Sequence, residues 1–113
     1  MKVSFEGVGE QVLSFEKANG TDKGLFVKVS ANNTVAACAA GENFVGYCID
    51  TAGGFAVVKI HGYIEVGYTG TAPTVGFVKL AADANGKVKK ADTGREYLAI
   101  KVDSAAATVG FIM

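Results

Sequence analysis

The sequence predicts an all-β fold, a compact β-barrel or sandwich of about 8–10 short strands built from two similar halves behind an irregular N-terminal arm. Composition is the first observation: half of the 113 residues are hydrophobic, 15 are glycine, one is proline and none is tryptophan. Glycine mixed with β-branched and aromatic residues favours short strands joined by tight turns. Turn signals that recur about every 8–12 residues, and an internal repeat, are the other two observations.

The repeat aligns residues 31–58 with residues 84–111 without a gap. Both copies share an asparagine turn, a glycine connection and a strand that ends in aspartate, as in Asn32–Asp50 and Asn85–Asp103. An upstream Gly-Leu-Phe-Val-Lys-Val segment is echoed by Gly-Phe-Val-Lys-Leu, which extends the pseudo-repeats to about 24–58 and 76–111. The repeated positions are turn and strand residues rather than reactive ones, so the repeat indicates a scaffold.

The predicted domain organisation is an N-terminal arm or lead-in over residues 1–20 and a single β domain over residues 21–113. Three glycines surround one strand-like piece in the arm, Gln11–Phe15. A mobile arm of this kind could add a strand to a partner through Val3–Phe5 or through Gln11–Phe15.

The strands of the β domain are predicted from alternation or from short apolar runs between turn signals. In order they are Leu25–Val29, Thr34–Cys38, Phe44–Asp50, Phe55–Ile60, Tyr63–Tyr68, Gly76–Leu80, a short strand at Val88, Tyr97–Asp103 and Thr108–Met113. Asn32-Asn33 and Asn85-Gly86 can adopt positive φ and close hairpins. Gly46 interrupts its strand and predicts a bulge or a close approach of backbone.

The charge balance limits the partners. Eleven basic and 11 acidic residues give a net charge of zero, which argues against nucleic acid as an electrostatic partner. No stretch approaches the ~18–20 apolar residues of a membrane helix. No apolar run follows Lys2, so the N-terminus is not a secretory signal, and we expect a protein made in a cytoplasm with Cys38 and Cys48 reduced.

Reactive residues are too scattered to predict a catalytic, metal or cofactor site. His61 is the single histidine, and its expected place is a strand end or an interface. Cys38, Cys48 and His61 lack the spacing of zinc ligands, and neither cysteine has a neighbouring base that would activate it. The sequence therefore predicts that the protein is not an enzyme.

Two charged features have structural interpretations that we favour over functional ones. Asp50 and Asp103 occupy matching places in the gapless repeat and are predicted to accept backbone N–H groups in turns, rather than to form a carboxylate pair. Lys87, Lys89 and Lys90 form the main basic cluster. They are predicted to mark a solvated edge strand; contact with nucleic acid or an acidic protein is the alternative.

The order of glycine and aliphatic motifs resembles a known family. The motifs are Gly24-Leu25-Phe26-Val27-Lys28-Val29, Thr34-Val35-Ala36, Gly41-x-x-Phe44-Val45-Gly46, Val57–Val66, Gly76-Phe77-Val78-Lys79-Leu80 and Gly86-Lys87-Val88. Over residues 24–113 this order is similar to the capsid decoration, or head cement, proteins of tailed phages and prophages. It is a pattern of structural residues without a catalytic signature.

The resemblance implies a structural virion protein that binds the outside of an expanded phage head, often as a homotrimer, and locks neighbouring capsomers together. The implied partner is the major capsid protein, and the implied location is the capsid surface after synthesis in the bacterial cytoplasm. The candidate capsid or oligomer contacts are exposed apolar or aromatic side chains: Val3, Phe5, Phe15, Phe26, Tyr63 and Tyr97. The alternative is a small β-barrel that binds a ligand or peptide in a mouth lined by Tyr47, Tyr63, Tyr68 and Tyr97.

Overall fold

The computed structural model describes residues 10–113, which contain ten β-strands and one short 3-10 helix. The strands are β1 (Gln11–Lys17), β2 (Phe26–Ala31), β3 (Thr34–Ala37), β4 (Gly46–Ala52), β5 (Phe55–His61), β6 (Tyr63–Thr69), β7 (Gly76–Ala82), β8 (Val88–Lys90), β9 (Arg95–Asp103) and β10 (Thr108–Ile112). The helix, Ala84–Gly86, lies between β7 and β8.

The strands form two closed five-stranded barrels with the same topology. The first has the order β1-β3-β2-β4-β5, and the second has the order β10-β6-β8-β7-β9. Each barrel contains one parallel pair, β1 with β3 and β6 with β8, and its other pairs are antiparallel. The prediction of an all-β barrel fold built from two similar halves is therefore confirmed.

The structural repeat begins earlier than the sequence repeat. Phe15 of β1 pairs with Ala56 of β5, just as Val66 of β6 pairs with Val109 of β10. β1 is therefore the counterpart of β6 and an integral strand of the first barrel, although the sequence placed it in an arm. Its apolar pattern is weak because most of its residues are exposed, which is why it did not stand out as part of the core.

A bulge occurs at the same place in both barrels. Cys48 lies opposite Val58 and Asp50 lies opposite Val57, so Ile49 has no partner of its own in β5. Ile100 is skipped in the same way between β9 and β10. Aligned on these bulges, the counterpart of Asp50 is Lys101 rather than Asp103, because the turn after β9 is longer than the turn after β4.

The barrels share an aromatic core. The first barrel has a small core of its own, made of Val27, Val35, Cys48, Ala56 and Val58. Phe26 and Phe44 also come from the first half of the chain, yet they belong to the larger cluster that fills the second barrel. The Phe44 ring stacks on Tyr97 with centroids 5.2 Å apart and an interplanar angle of 3°.

The connection between β3 and β4, residues 38–45, fastens the first barrel to the second through its backbone. Gly41 N–H donates to the carbonyl of Ala82 at 2.8 Å, and Ala82 N–H donates to the carbonyl of Glu42 at 2.9 Å. The Asn43 side chain donates to the carbonyl of Thr93 and accepts from the N–H of Arg95. These bonds position the connection so that Phe44 enters the shared core.

Candidate interaction surface

The outer face of the second barrel carries adjacent apolar side chains in solvent. Phe77 on β7 pairs with Leu98 on β9, and their side chains are 71% and 38% exposed. Their neighbours along the strands, Val78 and Tyr97, point inward and are buried, so alternation directs Phe77 and Leu98 outward. Val75, just before β7, is also exposed. Contiguous exposed apolar side chains mark sites of interaction more often than isolated ones do. We call Val75, Phe77 and Leu98 the outer apolar face.

An open groove of about 410 Å³ runs beside this face. It is lined by Thr74, Phe77, Val78, Lys79, Lys90, Ala91 and Asp92. The lining brings one aromatic ring together with two cations and one carboxylate. A mixed lining of this kind suits a protein surface or a peptide with both apolar and polar groups.

The matching face of the first barrel is covered. Phe26 on β2 pairs with Tyr47 on β4, as Phe77 pairs with Leu98. Phe26 is only 2% exposed because it packs on Phe44, with ring centroids 4.2 Å apart, and joins the core of the second barrel. Equivalent positions therefore have opposite environments in the two halves.

Of the contact residues expected from the sequence, Phe26 and Tyr97 are buried, and Phe15 and Tyr63 are half-buried. Val3 and Phe5 fall outside the described residues. Phe15 is half-buried against the core of the first barrel. Phe26 and Tyr97 were expected on an exposed face, and this is wrong: Tyr97 is only 5% exposed, stacked on Phe44. The second barrel hides the face of Phe26, which alternation within one strand cannot foresee.

Tyr63 has a structural environment on β6. Its ring lies close against Gly110 of the neighbouring strand β10, so that a side chain at residue 110 would collide with it. Its hydroxyl donates to the Glu65 carboxylate at 3.2 Å. Burial raises the pKa of the Tyr63 hydroxyl, and the hydrogen bond and charge of Glu65 raise it further. An aromatic ring laid over a glycine fills the gap that the glycine leaves in a sheet.

The tyrosines proposed to line a ligand-binding mouth do not converge on an opening. Tyr68 and Tyr97 are buried in the core of the second barrel, and Tyr47 packs edge-on against Phe26 at 4.9 Å. Tyr63 covers Gly110 instead. The groove beside Phe77 is formed by other residues.

The two cysteines are free thiols with raised pKa values. Partial burial, and then the charge of Glu42, raise the pKa of Cys38 to about 11. Cys48 lies in the core of the first barrel, and its thiol donates to the carbonyl of Asp50 at 3.3 Å. Burial raises the pKa of Cys48 as well. Both side chains are therefore poor nucleophiles near neutral pH.

The remaining polar candidates have local roles. His61 is exposed at the end of β5, the position expected for it. Asp103 accepts from the N–H groups of Ala105 and Ala106, which confirms its turn-capping role. Asp50 likewise accepts from the N–H of Thr51. Among residues 10–113, no three His, Cys, Asp or Glu side chains are grouped in a way that could hold a metal ion.

The basic cluster does not lie on a sheet edge. β8 carries Lys89 and Lys90 and pairs on one side with β6 and on the other with β7. The edge-strand prediction is therefore wrong, because closure of the barrel supplies a partner that a single strand does not reveal. The stem of Lys87 instead lies along Gly67.

Sequence reasoning missed the outer apolar face, although one signal for it is present. Phe77 and Lys79 are two residues apart in β7, so they share a face. Lys79 marks that face as the solvent side, which makes Phe77 an outward-facing aromatic residue. The exposed state of Leu98 is not evident from the sequence, because Leu98, Ile100 and Val102 alternate with Lys101 and Asp103 in the pattern typical of an inward face.

Comparisons with known proteins add no relative to this picture. No protein-family model matches the chain, and a search of curated proteins finds none with significant similarity. Within the described part of the chain, no helix has the length and apolar character needed to cross a bilayer.

Proposed function

We propose that this chain is a non-catalytic structural protein of a tailed-phage virion that binds the outer surface of the head and stabilises it. The proposed partners are the major capsid protein and further copies of the chain in a homotrimer, without nucleic acid or membrane. The proposal combines the motif resemblance over residues 24–113 with one observation, the outer apolar face. A face of this kind gives the protein a surface for assembly.

The scaffold suits a protein that must resist mechanical stress on the surface of a capsid. Closed barrels leave fewer free strand edges than open sheets do, which limits uncontrolled pairing between the strands of different molecules. The shared aromatic core makes the two barrels one packed body. The neutral net charge also suits contact with a protein surface better than contact with a polyanion.

A test uses expanded, DNA-free heads of the phage that encodes the chain. Purified protein is mixed with these heads and with unexpanded heads, and bound protein is measured by co-sedimentation. We expect saturable binding to expanded heads at a fixed ratio to the major capsid protein, and a higher melting temperature of the decorated heads. Absence of binding to expanded heads would contradict the proposal.

The variant Phe77→Asp places a charge on the outer apolar face, and we expect it to weaken decoration. Phe55→Asp is the matched control, because Phe55 is also an exposed phenylalanine but lies in the first barrel, at the start of β5. Equal binding by the two variants would show that the outer apolar face plays no part in decoration.

A peptide-binding module is the second candidate function, and the groove beside Phe77 is the observation that favours it. Native mass spectrometry of the purified protein separates the two candidates. A retained small molecule or peptide would favour the binding module, and a bare chain that binds expanded heads would favour decoration.

A further inference from the structure

The two barrels of one chain dock head to tail rather than symmetrically. The first barrel contributes the face that carries Phe26 and Tyr47, together with the 38–45 connection. The second barrel contributes a different region, which includes Ala82 and the helix residue Gly86. A head-to-tail contact joins two different surfaces, and each barrel has a version of both. Within one chain, the first barrel uses one of its two surfaces and the second barrel uses the other. Each barrel is therefore left with one surface that is not used within the chain.

The first left-over surface is the outer apolar face. Phe77 and Leu98 are the counterparts of Phe26 and Tyr47, as the matching strand pairs show. In the first barrel this face is buried against the second barrel, whereas in the second barrel no part of residues 10–113 covers it.

The second left-over surface is the edge of β2 at Val29. Measured from β3 and β8, Val29 is the counterpart of Ala82, because Val29 lies opposite Val35 and Ala82 lies opposite Val88. Measured from β4 and β9, which match Phe26 with Phe77, β7 is two residues longer over this stretch than β2. Ala82 is fully buried, and its N–H and carbonyl are both bonded to the 38–45 connection. Val29 is 55% exposed.

In the second barrel, the backbone groups of Ala82 bond to the 38–45 connection; on the equivalent side of Val29, no strand in the described part of the chain is paired. Cys38 N–H donates to the carbonyl of Phe26 at 2.9 Å, so the alternate residues Val27 and Val29 direct their N–H and carbonyl groups away from β3. On that side, β4 pairs with β2 only at Phe26 and Val27. Within the described residues, no strand therefore pairs with Val29 there.

We propose that copies of this chain associate head to tail, with the outer apolar face of one copy seated on the Val29 edge of the next. This contact continues between chains the barrel-to-barrel packing that already exists within each chain. A contact of this type forms a ring where the rotation between copies closes, and a filament where it does not.

The contact between copies is weaker than the contact within a chain. In the contact between copies, the β8–β9 connection, residues 91–94, takes the place that the 38–45 connection has within a chain. It is the shorter of the two. Arg95, two residues before Tyr97, occupies the place that Phe44 occupies before Gly46, and it is exposed and charged. We therefore expect association that depends on concentration, rather than a permanent oligomer.

Sedimentation velocity and light scattering of the full chain, from about 1 μM to about 1 mM, test the proposal without any capsid. We expect the mass of the wild-type protein to rise with concentration. Phe77→Asp and Val29→Asp should each remain monomeric, and Phe55→Asp should associate like the wild type. Phe77→Ser and Val29→Thr repeat the test with smaller changes if an aspartate variant loses its native circular dichroism.

Mixing the two variants gives the sharpest result. Phe77→Asp keeps an intact Val29 edge, and Val29→Asp keeps an intact outer apolar face. An equimolar mixture should therefore form dimers that cannot extend, although each variant alone is monomeric. A wild-type protein that is monomeric at all concentrations, variants that associate like the wild type, or a mixture that forms no dimer would each overturn the proposal.

The capsid experiment separates this proposal from the proposed function, on which it does not rest. If Phe77→Asp loses binding to heads while the wild type is monomeric in solution, the outer apolar face contacts the capsid and the head-to-tail contact is refuted. If the chain associates as expected but does not bind expanded heads, the head-to-tail contact stands and decoration fails.

Discussion

Phe44 joins the two halves of the molecule, so its truncation to alanine tests whether the barrels are one cooperative unit. Its side chain is 2% exposed, and its ring packs on Phe26, Tyr97 and Phe111 with centroid distances of 4.2, 5.2 and 6.2 Å. Truncation removes a buried ring and leaves a cavity between the two barrels. The cavity is expected to remain, because each barrel is held in shape by its own strand pairing. Such substitutions cost about 3–5 kcal/mol.

A loss of this size is a large share of the stability of the domain, which is about 5–15 kcal/mol for proteins of ordinary size. At about 4 °C per kcal/mol for a chain of roughly 100 residues, the melting temperature should fall by about 12–20 °C. Phe77→Ala is the matched control, because the same side chain is truncated where it is mostly exposed, and its effect should stay within about 0.5 kcal/mol at low protein concentration.

Urea unfolding followed by far-ultraviolet circular dichroism and by tyrosine fluorescence measures the effect. Circular dichroism reports on both barrels, whereas three of the four tyrosines, Tyr63, Tyr68 and Tyr97, lie in the second. We expect the two probes to give one coincident transition in the wild type. A cost for Phe44→Ala below about 1 kcal/mol, or two separate wild-type transitions, would refute the reasoning that the barrels share one core.

Three further predictions follow from particular contacts. Gly86→Ala should destabilise the protein by more than about 2 kcal/mol in urea unfolding, because a Cβ would collide with the carbonyl of Gly24. Gly20→Ala is the control: Gly20 also has positive φ but lies in open space, so its substitution should cost only about 1 kcal/mol. Equal costs would show that the collision at residue 86 is relieved. The pKa of Cys38 is raised from 9.0 to about 11, so at pH 8 its thiolate fraction should be about 100-fold lower than that of an unperturbed cysteine. Cys38 should therefore react correspondingly slowly with an aromatic disulfide reagent. Reaction at the rate of an unfolded control would refute this. The ion pair with Lys28 and the N–H of Ala39 hold the pKa of Glu42 below its usual 4.5, so its stabilisation is present above that pH and is lost as the pH falls through the lower native value. Glu42→Gln should therefore lower the melting temperature at pH 7, and the difference from the wild type should shrink as the pH falls below 4.5. A difference that does not depend on pH would contradict the charge-based explanation.

Most strands could be predicted from local pattern because a strand needs only alternation and a turn at each end. Thr34–Ala37, Phe55–His61 and Tyr63–Thr69 lie within a residue or so of their expected bounds. β1 was recognised as strand-like but not as part of a barrel, because its residues are mostly exposed and its partners lie far away in sequence. Local pattern identifies a strand, but its partner is chosen by the whole sheet.

Unlike the strands, the exposure of individual side chains could not be predicted from local pattern. Phe26 and Phe77 occupy matching places in similar strands, each two residues before a lysine. One is buried and the other is exposed, since only the first has another barrel packed against it. No local pattern distinguishes them, because the difference arises from contacts between halves that are distant in the chain.

The sequence by itself determined the all-β class, the duplicated halves and the turns, because each of these depends on propensities and periodicities over a few residues. Only the tertiary structure decided that the halves close into two barrels, that the 38–45 connection carries Phe44 into the second barrel, and that the rest of residues 10–113 leaves the outer apolar face uncovered. Those features depend on which strands pair around each barrel and on how one barrel covers the other. Pairing and covering are set by the total burial of apolar surface, which is a property of the whole chain rather than of any segment.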